Sequence, residues 1–270
     1  MNFVGEEGFK HENTKKIGVL VCNLGTPDSY KAWDVGRFLR EFLSDGRVVE
    51  VPKIIWWFIL NLIILPFRSP RSAKLYRSIW TEQGSPLKVL SEKLINKLRE
   101  KSGGAYEVEL AMRYGKPSIE SKLLKLKNNN CRELIIVPMF PQYSGTTTGS
   151  IFDEVTRVLS KWRWVPSLSF VNSYHDDKNY IQALKESMEG VIKKEKPEKI
   201  IFTYHGIPKR NFDRGDPYHC YCQKTTRLVS EQLGLNEGEY MTTFQSRFGP
   251  AEWLKPYTSD TMKDLADKGI

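Results

Sequence analysis

Long blocks of one charge are missing from this 270-residue chain, although Lys and Arg outnumber Asp and Glu by 41 to 32. The net charge of +9 is scattered, as in Lys193 with Lys194, Lys209 with Arg210, and Arg68 with Arg71. Such a surplus suits anionic partners, but a nucleic-acid binder gathers its cations into a stripe, so no nucleic-acid partner is expected. Cysteine is scarce. The four present cannot build a disulfide scaffold, and Cys22 and Cys131 sit in or beside apolar strand-like runs, as buried thiols of a reducing cytosol do. The polar start of the chain, up to Lys16, has no apolar core of a secretion signal. A Gly-x-Gly-x-x-Gly motif and a Walker lysine are both absent, which leaves nucleotide binding unsupported. There is no internal repeat and no low-complexity tract.

Long apolar runs are equally scarce, with one exception. Residues 54–67 read I-I-W-W-F-I-L-N-L-I-I-L-P-F, with Lys53 before them and Arg68 and Arg71 after. This run falls short of the roughly 20 residues that cross a bilayer. Its helix would be apolar on every face except at Asn61. It reads either as a buried core helix or as a lip that meets a greasy ligand or a membrane interface, where Trp is favoured.

What the chain does have is alternation. Strand-like runs at 17–23, 106–113, 134–140, 168–172, 199–203 and 240–244 alternate with helical periodicity at 32–43, 86–101, 151–160, 181–194 and 225–233. That pattern predicts an α/β fold with parallel sheets. Ser85 followed by Pro86 is a good helix start, the serine capping and the proline in the first turn. A boundary near 162–166 gives a tail at 1–15 and two Rossmann-like lobes, 16–162 (carrying the apolar run) and 163–270. In the last helical stretch Met262, Leu265 and Ala266 form the stripe, Ser259 or Asp260 caps its start, and Gly269 fits its end. An α/β unit would continue with a strand, so the second lobe is expected to be incomplete, truncated at Ile270.

In parallel α/β sheets the ligand-handling residues gather at the carboxyl ends of strands. Here those ends carry Leu24 to Pro27, Arg113 with Tyr114 and Gly115, the stretch from Pro141 to Ser150, His205, and Gln245 to Gly249. His205 closes an apolar strand and opens a turn at Gly206 and Pro208. At the mouth of a cleft such a ring takes a proton or binds a metal near neutral pH; elsewhere it is a satisfied turn histidine. The glycine- and hydroxyl-rich stretch 143–150 offers backbone amides to an anion or simply caps a helix. Arg113 beside Tyr114, taken alone, reads as structural sooner than functional. Cys220 and Cys222 beside His219 have the ingredients of a metal site, but two thiols cannot close one, and an exposed helix-start thiol pair is the better reading.

Several of these motifs, in this order, resemble ferrochelatases of the proteobacterial type. They are residues 23–27 (N-L-G-T-P), 83–87 (Q-G-S-P-L), 112–115 (M-R-Y-G), 141–144 (P-Q-Y-S), 147–150 (T-T-G-S), 200–218 around His205, and 244–250 (F-Q-S-R-F-G-P) leading to Trp253. The similarity runs from about Lys16 onward. It implies a chelatase-like fold of two lobes with a porphyrin cleft between them, and insertion of ferrous iron into protoporphyrin IX to form protohaem in haem biosynthesis. On this resemblance His205 contacts the metal or accepts pyrrole protons. Tyr76, Arg113 and Tyr114 line the porphyrin pocket, Ser85 and Ser144 hold propionates, and Leu24 and Trp253 pack on the macrocycle. The apolar run becomes a lip resting on the membrane, which places the protein in the cytoplasm, peripheral on the inner face of the cell membrane.

Metal insertion replaces two pyrrole N–H protons by a divalent cation, so the site needs a proton acceptor and apolar walls around a flat ring. A neutral histidine in an apolar cleft meets the first need. The resemblance also implies a partner glutamate in a segment that would follow Ile270, so a chain ending there is expected to lose activity. A non-catalytic porphyrin-binding fragment, or a chelatase for another tetrapyrrole or metal, stand as alternatives. Gly145 occupies the place where some relatives carry an iron–sulfur ligand. No cluster and no other resident cofactor is therefore expected, and ferrous iron enters as substrate.

Overall fold

The computed structural model describes residues 3–6, 8, 10–12 and 14–270. They divide into two compact units, 1–140 with 145–172, and 141–144 with 173–270.

The first unit is built on four parallel strands: β1 (Lys16–Thr26), β2 (Glu107–Gly115), β3 (Cys131–Pro138) and β4 (Ser167–Phe170), in the order β2-β1-β3-β4. Its helices are α1 (Ala32–Leu43), α2 (Lys53–Ile79), α3 (Pro86–Ser102), α4 (Ile119–Asn128) and α5 (Ser150–Leu159). The central strand β1 is apolar on both sides, as a strand covered on both faces must be. Leu20 and Cys22 pack with Leu123, Leu126 and Val155 on one face, while Val21 joins Ile95, Val108 and Met112 on the other.

The pairing of β4 with β3, Leu134 opposite Leu168, corrects the boundary read from sequence. The strand assigned to the second lobe is hydrogen-bonded into the first sheet, and the division falls after residue 172. A backbone ladder outweighs the turn-like residues at 162–166 that suggested the break. The polar tail is tied down too. Val4 donates its N–H to the Lys161 carbonyl at 2.8 Å, and the buried Lys127 ammonium donates to the carbonyls of Val4 and Gly5 at 3.2 and 2.7 Å.

Residues 54–67 are neither a short nor a buried helix. They form the first half of α2, which runs 27 residues and is by length and composition alone apolar enough to cross a membrane. Its inner face packs Leu60 and Leu65 against Val35, Phe38 and Leu39 of α1. Its outer face leaves Ile54, Ile55, Trp57, Phe58, Leu62, Ile63 and Phe67 exposed. Over Ile59–Ile64 the helix widens into π-type turns.

In the second unit β5 (Ile200–His205) pairs in parallel with β6 (Tyr240–Gln245), His205 opposite Gln245. Around them lie α6 (Lys178–Glu195), α7 (Lys209–Asp213), α8 (Tyr218–Leu233) and α9 (Thr258–Asp267). Asp177 caps α6, accepting the backbone N–H groups of Asn179 and Tyr180. The last helix begins after Tyr257, so neither Ser259 nor Asp260 is its cap. Gly269, at φ 75°, closes it as expected, with the Ile270 N–H returning to the Leu265 carbonyl.

One glycine fixes how the first sheet ends. β1 continues past Asn23 so that Gly25 lies opposite Tyr114 and Thr26 opposite Gly115. Gly25 has φ 112°, and a Cβ there would fall 1.8 Å from the Tyr114 carbonyl oxygen. Both the backbone conformation and the close approach require glycine. Gly25→Ala is expected to destabilise the protein by about 3 kcal/mol or more, read as a lower urea midpoint. A loss under about 1 kcal/mol would mean that this strand end yields freely.

Candidate functional site

The close approach at Gly25 sets Leu24, Tyr114 and Tyr76 around one apolar cluster with Val35, Phe38 and Leu43. Tyr76, on α2, meets Phe38 edge-on at 6.4 Å and Trp80 at 6.3 Å. Phe42 meets Tyr114 edge-on at 5.2 Å. The result is an aromatic lining assembled from α1, α2 and the end of β2. Ser85 is the N-cap residue of α3, as expected, but its hydroxyl makes no capping hydrogen bond; its Oγ accepts the Thr26 hydroxyl at 2.8 Å.

A carboxylate that sequence reading passed over organises this end of the sheet. Asp45, just after α1, has a side chain only 8% exposed. Its Oδ2 accepts from Arg113 Nη2 at 2.7 Å, from the Tyr114 hydroxyl at 2.8 Å and from Ser150 Oγ at 2.5 Å. Oδ1 accepts the Arg47 backbone N–H at 2.8 Å. Burial by itself would raise the Asp45 carboxyl. The hydrogen bonds from Ser150, the Arg47 backbone and Tyr114, together with the Arg113 charge, outweigh burial and hold it below the usual carboxylate range. Burial pushes the Tyr114 phenol well up, so it stays protonated and donates.

Arg113 is thereby committed twice. Nε donates to Ser150 Oγ at 2.7 Å, and the guanidinium lies over the Tyr114 ring at 4.6 Å. Ser150 is the first residue of α5 rather than its cap, and its hydroxyl serves this cluster. The signal for Asp45 was a lone acidic residue after an amphipathic helix. Nothing local marks such a residue as the partner of a strand end 68 residues away.

In the second unit β5 delivers His205 to the strand end, as its sequence implied. Nδ1 lies 2.7 Å from the Gly206 carbonyl oxygen, which can only accept, so the Nδ1 position carries the proton. In the neutral ring Nε2 then holds the lone pair and is the nitrogen open to a proton or a metal ion. Trp253 lies beside it, ring centroids 6.2 Å apart. Gly206 makes room, since a Cβ there would sit 3.2 Å from the Trp253 ring. The His205 side chain is otherwise exposed, not enclosed by apolar walls. Ser144 is buried, and its hydroxyl donates to Asp216 Oδ2 at 2.9 Å, so it faces a carboxylate of the chain itself.

Cys220 and Cys222 are not an exposed pair. Both lie on α8, but Cys222 is buried and its thiol pushed up by burial, while Cys220 is exposed. Cys22 and Cys131 are buried, the latter thiol pushed up to about 11 by burial. Among the described residues no three His, Cys, Asp or Glu side chains gather as a metal-ligating set. Leu24, Tyr76, Arg113 and Tyr114 are thus brought together in the first unit, and His205 with Trp253 in the second.

Parallel sheets flanked by helices, with their polar residues gathered at the strand carboxyl ends, define an open, Rossmann-like α/β protein. The fold matches SirB from Bacillus subtilis with Fe3+, at TM-score 0.53 and 11% identity over 93% of this chain and 71% of that one. The ferrochelatase family model matches residues 16–270. Over its whole length the chain is 51% identical to a ferrochelatase of Thioalkalivibrio sulfidiphilus (strain HL-EbGR7), covering 74% of that protein. It is 50% identical to one of Pseudoalteromonas atlantica (strain T6c / ATCC BAA-1087), covering 76%. The chain belongs to the ferrochelatase family.

The depressed Asp45 carboxyl sets a pH dependence. Its folded value lies below its unfolded value, so its stabilisation is complete above about pH 3.9 and is lost as pH falls through the folded value. Asp45→Asn is expected to cost about 2–3 kcal/mol at pH 7, with the gap to wild type closing on acidification. Urea unfolding of both proteins at pH 7, 5 and 3 checks this, and a gap constant down to pH 3 would contradict it.

Proposed function

We propose that the chain carries out its family's reaction, insertion of ferrous iron into protoporphyrin IX to give protohaem, through the Nε2 lone pair of His205. The observation that carries this reading is the 2.7 Å contact between Nδ1 and the Gly206 carbonyl. It fixes the ring at the end of β5 with its basic nitrogen outward. As iron binds the four ring nitrogens, the porphyrin gives up two N–H protons. Nε2 accepts one, sheds it to water, which the exposed side chain can reach, and is ready for the second.

On the first unit we assign Leu24 and Tyr76 to the apolar wall, backed by Tyr114, which at 2% exposed lies behind the surface rather than on it, and the largely buried Ser85 and Arg113 to its polar margin. On the second, Trp253 supplies the aromatic face beside His205, and Ser144 enters through the Asp216 it holds. Iron is a substrate here. We propose no resident iron–sulfur cluster, a reading supported by the burial of Cys22, Cys131 and Cys222, which leaves Cys220 the exposed thiol among those described. We further place the protein in the cytoplasm, with the exposed face of α2 on the inner surface of the cell membrane. Trp57, Phe58, Leu62 and Ile63 on that face, and the cations Arg71 and Lys74 farther along α2, support such a seat on anionic lipid. The scattered cations do not favour nucleic acid.

His205→Ala is expected to lower iron insertion at least about 100-fold, while quenching of tryptophan fluorescence by protoporphyrin stays within about threefold of wild type. Turnover near the wild-type rate would remove His205 from the mechanism. Leu62→Asp with Ile63→Asp is expected to cut co-sedimentation with anionic lipid vesicles about tenfold or more, and unchanged sedimentation would remove α2 from the membrane.

A further inference from the structure

The geometry points to Asp45 as a positioning residue that sets the charge of the porphyrin site by neutralising Arg113. An arginine that grips a carboxylate does so with two parallel N–H donors on one edge of its plane. In this protein one such edge is occupied. Nη2 donates to Asp45 at 2.7 Å, Nε donates to Ser150 Oγ at 2.7 Å, and one face of the plane rests on the Tyr114 ring. The cation is 18% exposed and its carboxylate partner 8%, so water screens their attraction little.

One further cation acts on this wall: Arg68, on α2 itself, whose charge reaches Tyr76. Arg47 gives its backbone N–H to Asp45, and its guanidinium pairs with Asp153, from Nε at 2.7 Å. Glu41 accepts the Gly115 N–H at 2.8 Å and makes the vicinity no more positive. At Arg113 the margin of the wall formed by Leu24 and Tyr76, with Tyr114 buried behind it, therefore presents a paired cation rather than a free one. Arg113 acts there as a locked part of the wall, and a porphyrin's carboxylates are drawn to other donors. Asp45 reaches the substrate only through Arg113 and Tyr114.

The inference rests on the assignment of Arg113 to the porphyrin site, and the test keeps the two apart. The readout is the ratio of kcat/KM for a porphyrin dicarboxylic acid to that for its dimethyl ester, measured in one detergent at low salt. Asp45→Asn leaves Arg113 unopposed and is expected to raise the ratio about threefold or more. Arg113→Met leaves Asp45 unopposed and is expected to lower it by a similar factor. The double variant returns it to within about twofold of wild type. If Asp45→Asn does not fold, the rise from Arg113→Met to the double variant decides the matter. A purely structural role lowers turnover of both porphyrins and leaves the ratio fixed, which would overturn the inference while leaving Arg113 in the site. Unchanged kcat/KM for both porphyrins in Arg113→Met would overturn the inference together with that assignment.

Discussion

The first unit depends on a buried carboxylate that three chain segments share. Asp45 follows α1, Arg113 and Tyr114 end β2, and Ser150 begins α5; none of them is near another in sequence except the two on β2. Leaving any of these donors unpaired in so dry a place would be costly, so the segments are held in one arrangement. That arrangement aims the aromatic lining. Gly25 contributes from the other side, letting β1 approach Tyr114 closely enough for Leu24 to join the same cluster.

The second unit solves a simpler problem by simpler means. A chelatase needs a basic nitrogen that is held but not consumed. His205 is fixed through one nitrogen by the carbonyl of the next residue, which leaves the other available. Gly206 lets the indole of Trp253 come in alongside. The side chain's exposure leaves that nitrogen within reach of water, as the proposed proton transfer requires.

Most of the fold was legible in the sequence because parallel sheets write themselves plainly. The runs at 17–23 and 134–140 are largely apolar on both faces, and the helices around them keep a helical period. The misreadings have physical causes. The strand Ser167–Phe170 was put in the wrong lobe because pairing partners are set by topology, which residues 162–166 do not encode. The apolar run 54–67 was ambiguous because a helix apolar all round looks the same buried or exposed; only its neighbour α1 decides which side is covered. Among site residues, His205 and the Arg113–Tyr114 pair stood out as strand endings. Asp45 did not, since a carboxylate matters here for what it meets across the fold. The hydroxyls of Ser144 and Ser85 also turned out to serve intramolecular partners, Asp216 and Thr26, a choice invisible in a linear motif.

The widened turns of α2 have a consequence of their own. In a regular α-helix two residues five apart point about 140° away from each other, yet Leu60 and Leu65 are both buried against α1. Adding one residue to the turn between them brings both onto the same side, while the outer row keeps its apolar character. A single-codon insertion in an ancestral helix would have this effect at once, re-aiming everything downstream, Tyr76 included, without any change to the residues themselves. The packing of that tyrosine against Phe38 would then owe its direction to the length of the helix before it rather than to any substitution around it.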